Sequence, residues 1–176
     1  SQNLVAVIPA LAKVNLGVQS PLMVNAMLAL SIIGIMIGAY VSARKSINLV
    51  KVNNIYTGST TITVCAILVP VVATLSFIPN SIALIIVSAL IMLFGIGAGM
   101  MLVPLNALIQ AHSAKDGLGS VLAGKNWIQN MAMIGLLLLT VLLAKSNVNS
   151  VYILYLNALI AVVGFTVVLR RLKAIL

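Results

Sequence analysis

Acidic residues are almost absent from this 176-residue chain, in which Asp116 stands alone against ten lysines and arginines. Charged residues make up 6% of the sequence, whereas about a quarter of a typical soluble domain is charged. So few charges cannot cover the surface of a water-soluble protein of this size, which excludes a soluble globular enzyme. Disorder is excluded too, because 62% of the residues are hydrophobic and disordered chains are poor in such residues.

Groups that perform catalysis are equally scarce. His112 is the only histidine, Cys65 the only cysteine and Asp116 the only acid. Paired carboxylates, a metal site or a Ser-His-acid triad each need more partners than these. We therefore expect no catalytic residue, no metal, no cofactor and no enzymatic activity. Cys65 lies inside an apolar run and is expected to be a small buried hydrophobic residue.

Long apolar segments are what the sequence has instead. Six of them follow one another along the chain, at residues 4–18, 21–43, 55–77, 82–110, 120–144 and 151–169. The last five each approach or exceed the roughly 20 residues with which a helix spans a hydrocarbon core. The first is shorter and contains Pro9, Lys13 and Asn15, so we interpret it as the end of a longer membrane helix. The sequence predicts an all-α membrane protein with one partial and five full transmembrane helices.

The basic residues predict the orientation of these helices. Eight fall in links or ends that share one side of the membrane, at Arg44, Lys45, Lys51, Lys115, Lys125, Arg170, Arg171 and Lys173. Lys13 and Lys145 fall on the other side. Because Lys and Arg accumulate in cytoplasmic loops, the C-terminus is predicted to lie in the cytoplasm. The charge therefore reports topology, and we expect no nucleic-acid partner.

Small residues recur at helix-packing spacing. Gly34 and Gly38 are four residues apart, as are Gly95 and Gly99. Such pairs allow two membrane helices to approach closely. Pro104 removes one backbone donor from its helix and is expected to bend it.

Amide side chains form two pairs in the predicted helices. Asn106 and Gln110 are four residues apart, and so are Asn126 and Asn130, which places each pair on one helical face. A short loop joins the two segments, so we expect antiparallel neighbours that share an amide-rich patch. Hydrogen bonds that fix the two helices together and a water-filled substrate path are both open interpretations.

Three further polar features lie in the predicted helices, and two of them have two interpretations each. Lys125 either extends to the lipid headgroups or contacts a phosphate inside a cavity. Asn25 either lines a pathway or bonds a neighbouring helix. Four threonines near the start of the third segment are expected to bond their own helix, namely Thr57, Thr60, Thr61 and Thr63.

The order of segments, the basic links and the glycine-rich fourth segment resemble the C-terminal six-helix half of a major facilitator superfamily transporter. Three stretches are similar to the bacterial lysophospholipid transporter family. They are Leu-Val-Pro-Leu-Asn-Ala-Leu-Ile-Gln at 102–110, the Asn126 and Asn130 pair followed by Met-Ala-Met at 131–133, and Asn-Ala-Met at 25–27. Two positions depart from the family pattern: Gln129 stands where an acid is expected, and Ser42 where the superfamily's basic loop motif usually has Asp.

This resemblance implies a transporter that moves lysophospholipids, notably lysophosphatidylethanolamine, to the inner leaflet of the bacterial inner membrane. An acyltransferase on the cytoplasmic side then reacylates them. Residues 1–176 would form one transmembrane unit, with the N-terminal half of the same transporter as its partner. The resemblance makes Asn106, Gln110, Asn126 and Asn130 candidates for the substrate path, beside Lys125 and Asn25. A drug or metabolite exporter of the same superfamily and a non-transporting membrane scaffold remain alternatives.

The charge asymmetry predicts the outcome of reporter fusions. Fusions after Lys51, Lys115 and Lys173 should report cytoplasm, and fusions after Pro79 and Asn147 the opposite side, because basic links are retained in the cytoplasm. A paired phosphatase and fluorescent reporter distinguishes the two locations. A signal from the non-cytoplasmic side after Lys173 would contradict the predicted number of helices.

Overall fold

The computed structural model is all-helical. It describes residues 8–9, 11–13, 17, 20–45, 52–75, 77–113, 117–146 and 150–173, of which 94% are helical and none is in a strand. Five long helices follow one another in this part of the chain: α1 (Pro21–Lys45), α2 (Val52–Thr74), α3 (Asn80–His112), α4 (Leu118–Lys145) and α5 (Ser150–Lys173). The helices agree with the predicted segments to within four residues at each end: α2 begins and ends three residues earlier, and α5 ends four residues later.

Length and composition identify this as a multi-pass, membrane-embedded protein. Helices α1 to α4 are each long and apolar enough to cross a bilayer. The apolar part of α5, Val151–Val167, is shorter and lies at the lower end of the range for a spanning helix. In the predicted partial helix at 4–18, residues 8–9 and 11–13 are helical, and the remainder apart from Gly17 lies outside the described residues.

The most extensive helix contact among the described residues joins α1 to α3. A methyl group added to Gly34 would collide with the carbonyl oxygen of Met92, and one added to Gly38 with that of Ile96. Methyl groups on Gly95 and Gly99 would strike α1 in the same way. Residues therefore pair in rising order along both helices, so α1 and α3 run parallel. The two predicted glycine pairs pack directly on each other.

A second side of α3 packs on α2. A methyl group on Gly58 would lie 2.7 Å from the carbonyl oxygen of Gly97, and one on Gly97 would lie 2.9 Å from that of Gly58. Glycine thus brings the α3 backbone close to both neighbours, because a larger residue would hold the helices apart. Helix α3 is the central element of the fold.

The hydrophobic core lies at the ends of the helices away from Pro104. It combines buried residues of the N-terminal segment, α1, α2, α3 and α5: Ile8, Leu11, Ala12, Met27, Val69, Ala83, Val87, Ile91, Ile153 and Leu154. Helix α5 packs mainly on α2, where the rings of Tyr56 and Phe165 lie 6.1 Å apart. Cys65 is buried on α2, as the sequence predicts.

Helix α4 stands apart from this packing. None of its described side chains is buried, and it has few close backbone contacts with α3 or α5. A methyl group added to Gly124 or Gly135 would have no neighbouring atom within 4 Å. Nearly the whole surface of α4 is therefore available to lipid, water or another protein segment.

The contact between α1 and α3 predicts that Gly38→Ala is destabilising. The added methyl group has no room beside Ile96, so the helices must separate, at a cost of about 1–3 kcal/mol. Gly135→Ala is the matched control because its methyl group meets nothing. Thermal unfolding in detergent should show a lower midpoint for Gly38→Ala only, and equal midpoints for the two variants would contradict the close approach.

Candidate functional site

A lysine and an amide meet where α3 ends and α4 begins. The Lys125 Nζ atom donates a hydrogen bond to Asn106 Oδ1, and both side chains are half-buried. Lys125 lies about 10 Å along α4 from its first residue, at 1.5 Å per residue. The side chain is turned toward α3, where it is held by Asn106.

Further polar side chains share this side of α4. Lys125, Asn126, Gln129 and Asn130 fall within an arc of about 140° at 100° per residue, and we call them the polar face. The amides of this face are exposed, and Asn130 lies about 18 Å from the start of the helix. The opposite side of the same turns is apolar and exposed, at Trp127, Ile128 and Met131. The first half of α4 is thus amphipathic within a membrane-spanning helix.

In the described part of the chain, no hydrogen bond joins the four amides of the predicted patch to one another. Asn106 contacts α4 through Lys125, whereas Gln110, Asn126 and Asn130 are exposed. Within the described residues, these three amides make no hydrogen bond to another side chain. The physical reason is that α3 packs its glycine faces on α1 and α2, which leaves α4 with few close contacts to α3.

Asn25 lies far from these residues. Gly34 on α1 stands opposite Met92 on α3, so the same register places the exposed Asn25 level with Ala83. That position is about 35 Å along α3 from Asn106. The structure therefore separates Asn25 from the site formed by Asn106 and the polar face.

The site carries positive charge, and none of the described residues is Asp or Glu, since Asp116 lies outside them. Among the described residues, the Lys125 ammonium donates to the neutral carbonyl of Asn106. Ammonium and amide N–H groups donate hydrogen bonds to anionic oxygens. The arrangement is suited to holding a phosphate or carboxylate group.

Two buried polar residues between the packed helices escape sequence reasoning. Ser42 is fully buried, and its Oγ donates a hydrogen bond to the Met100 carbonyl oxygen at 3.4 Å. Asn54 is also buried, and its Nδ2 donates to Ser42 Oγ at 3.5 Å. The sequence presents Ser42 only as a departure from a loop motif. A usable signal was present, because Gly34, Gly38 and Ser42 form a row of small residues at every fourth position.

The threonines of α2 behave as predicted. Thr57 Oγ1 donates to Asn53 O at 2.9 Å, Thr61 to Thr57 O at 2.8 Å and Thr63 to Ser59 O at 2.9 Å. Thr60 likewise donates to its own helix. These hydroxyls are satisfied locally, which makes a binding role for them unnecessary.

No family model, curated protein or solved structure matches the chain. The fold class therefore rests on the helices themselves, and function has to be argued from the chemistry of the site. Asn106, Lys125 and the exposed amides of the polar face supply that chemistry.

The polar face predicts a one-sided pattern of chemical labelling. With Cys65 replaced by alanine, Asn130→Cys should react with a water-soluble thiol reagent, because its neighbours on α4 are polar and need water or a polar ligand. Met131→Cys lies at the same depth on the apolar side and should react at least several-fold more slowly. Equal protection of both cysteines would exclude a water-accessible path along α4.

Proposed function

We propose that this protein is a membrane transporter that moves lysophospholipids, such as lysophosphatidylethanolamine, to the inner leaflet of the bacterial inner membrane. Its C-terminus would lie in the cytoplasm. The observation that carries this proposal is the polar face of α4, with Lys125 held by Asn106, in a helix that is otherwise apolar and exposed.

Polar side chains inside a membrane are energetically costly, so their presence has to be explained. A charged or amide side chain exposed to hydrocarbon is costly and is retained where it meets water, a ligand or another polar group. The exposed amides Asn126 and Asn130 have no partner among the described residues, so the fold does not use them to fix α3 against α4. A substrate path explains them better than a purely structural role.

The chemistry of the site suits a lysophospholipid. The headgroup phosphate would accept hydrogen bonds from the Lys125 ammonium and from amide N–H groups, and the free glycerol hydroxyl would donate to an amide carbonyl. The acyl chain can remain against apolar side chains such as Ile128 and Met131, or in lipid. Acidic side chains, which repel phosphate, are absent from the described helices.

The same charge pattern bears on the alternatives. An exporter of cationic drugs would need an acid to balance its cargo in the membrane, and the described helices offer none. Partnership with the N-terminal half of the same transporter follows from the sequence resemblance, and the open surface of α4 leaves room for it. An acyltransferase on the cytoplasmic side would consume the transported lipid.

The role of Lys125 predicts a loss of transport in Lys125→Met. Removing a charged hydrogen-bond donor to phosphate costs about 1.5–3 kcal/mol, or roughly a tenfold or greater fall in rate. Lys125→Arg should keep part of the activity. Lys145→Met, at the exposed far end of α4, is the matched control and should transport normally. The measurement is movement of labelled lysophospholipid per correctly inserted molecule of the full transporter.

Two outcomes would contradict the proposal. Normal lysophospholipid movement by Lys125→Met would contradict the proposed hydrogen bond from the Lys125 ammonium to the phosphate. Movement of a cationic dye, but not of lysophospholipid, by the unmodified protein would favour an exporter.

The amides give an independent prediction. Asn106→Leu and Asn130→Leu should each reduce transport, and Gln110→Leu should reduce it less, because Gln110 lies nearest the loop and is the most hydrated. Thermal stability in detergent is measured beside transport. Loss of stability with normal transport per inserted molecule would make these amides structural, whereas loss of transport at unchanged stability would place them in the path.

A further inference from the structure

Pro104 leaves an unpaired acceptor inside α3. Proline has no backbone N–H, so the carbonyl of Met100, four residues earlier, loses its helical donor. Pro104 itself is fully buried, which limits access of water to this point. A freed carbonyl inside a membrane protein has to be satisfied by a neighbouring group.

A side chain of another helix supplies the missing donor. Ser42 Oγ on α1 donates to Met100 O at 3.4 Å, and Asn54 Nδ2 on α2 donates to Ser42 Oγ at 3.5 Å. This chain of hydrogen bonds joins three helices at one buried point. It also continues the register of the glycine contact, in which Gly34 stands opposite Met92 and Gly38 opposite Ile96.

The bond from Ser42 differs from the other hydroxyl bonds of the described helices. Those go back to a carbonyl three or four residues earlier in the same helix, as in Thr63, Ser88 and Thr140. The second intrahelical proline, Pro70 in α2, offers a direct comparison. Among the described hydrogen bonds, none from another helix reaches the carbonyl of Ala66, which Pro70 leaves free. Proline alone therefore does not recruit such a donor.

We propose that Asn54 and Ser42 form a latch that holds α3 in its present direction beyond Pro104 and thereby positions Asn106 for its contact with Lys125. Asn106 follows Pro104 by two residues, so any change in direction at the proline moves it relative to α4. The latch is independent of the proposed function and concerns only the geometry of α3.

The chemistry explains why serine suits this position. A hydroxyl can donate to Met100 O while it accepts from Asn54. An ionised aspartate can only accept, and it would face the carbonyl oxygen without a proton to share. Ser42 is therefore chemically matched to the carbonyl that the proline on the facing helix leaves free.

A double-mutant cycle tests the latch, because Pro104→Ala restores the backbone N–H that Met100 O lacks. Ser42→Ala alone should lower the unfolding midpoint in detergent by about 2–4 °C, the size expected for losing one buried hydrogen bond in a chain of this length. In the Pro104→Ala background the same change should have little effect. In the Pro70→Ala background, the matched control, Ser42→Ala should keep its full effect. An equal effect of Ser42→Ala in all backgrounds would overturn the proposal.

Distances between spin labels report the positioning itself. With Cys65 replaced by alanine, cysteines at the exposed positions Ala43 and Gln110 report the region beyond Pro104, and cysteines at Ile32 and Leu93 report the region before it. Ser42→Ala should shift or broaden the first distance distribution and leave the second unchanged. The shift should disappear when Pro104→Ala is added.

The distance and insertion measurements can each overturn the latch. An unchanged distance between positions 43 and 110 in Ser42→Ala would overturn the latch. If Ser42→Ala alone does not insert, the Ser42→Ala, Pro104→Ala double variant should rescue insertion, and failure of that rescue would also overturn it. Neither measurement involves a lipid substrate, so a failed latch and a failed transport function are told apart.

Discussion

The close approach of α1 and α3 determines how the rest of this protein is arranged. Backbone meets backbone where Gly34 and Gly38 pack on Gly95 and Gly99, and apolar side chains gain little by leaving lipid for protein, so such fits replace the hydrophobic effect that drives soluble folding. Gly58 and Gly97 repeat the device between α2 and α3. With two sides packed in this way, α3 makes few close contacts with α4.

Polar groups divide into two kinds around this centre. Those beside the glycine contacts are satisfied within the protein: the α2 threonines donate to their own helix, and the Met100 carbonyl accepts from Ser42, whose hydroxyl accepts from Asn54. In the described part of the chain, the amides of the polar face are exposed and Lys125 donates to Asn106 alone. The difference separates side chains that stabilise the fold from those available to a ligand, because open polar groups in a membrane are retained for a use.

The proposed site lies at the edge of the packed helices. Asn106 lies on the central helix, two residues beyond a proline, and Lys125 lies on the helix that packs least. A site built across that boundary can change its geometry without disturbing the glycine contacts, because those contacts are earlier in α3. A transported molecule would meet a rigid side and a less constrained side.

The sequence by itself determined the helices, because apolar segments of about 20 residues leave a chain no other way to satisfy its backbone in lipid. It also determined the glycine pairs, the burial of Cys65 and the local bonding of the threonines, all of which depend on near neighbours in the chain. It did not determine which helices touch. The contact of Lys125 with Asn106, the distance of Asn25 from the site, and the bond from Ser42 to the carbonyl freed by Pro104 were decided by the tertiary structure. The last two depend on the register between α1 and α3, which is set by backbone approach at the glycines. The first depends on how α4 meets α3, where the described glycines of α4 make no close contact.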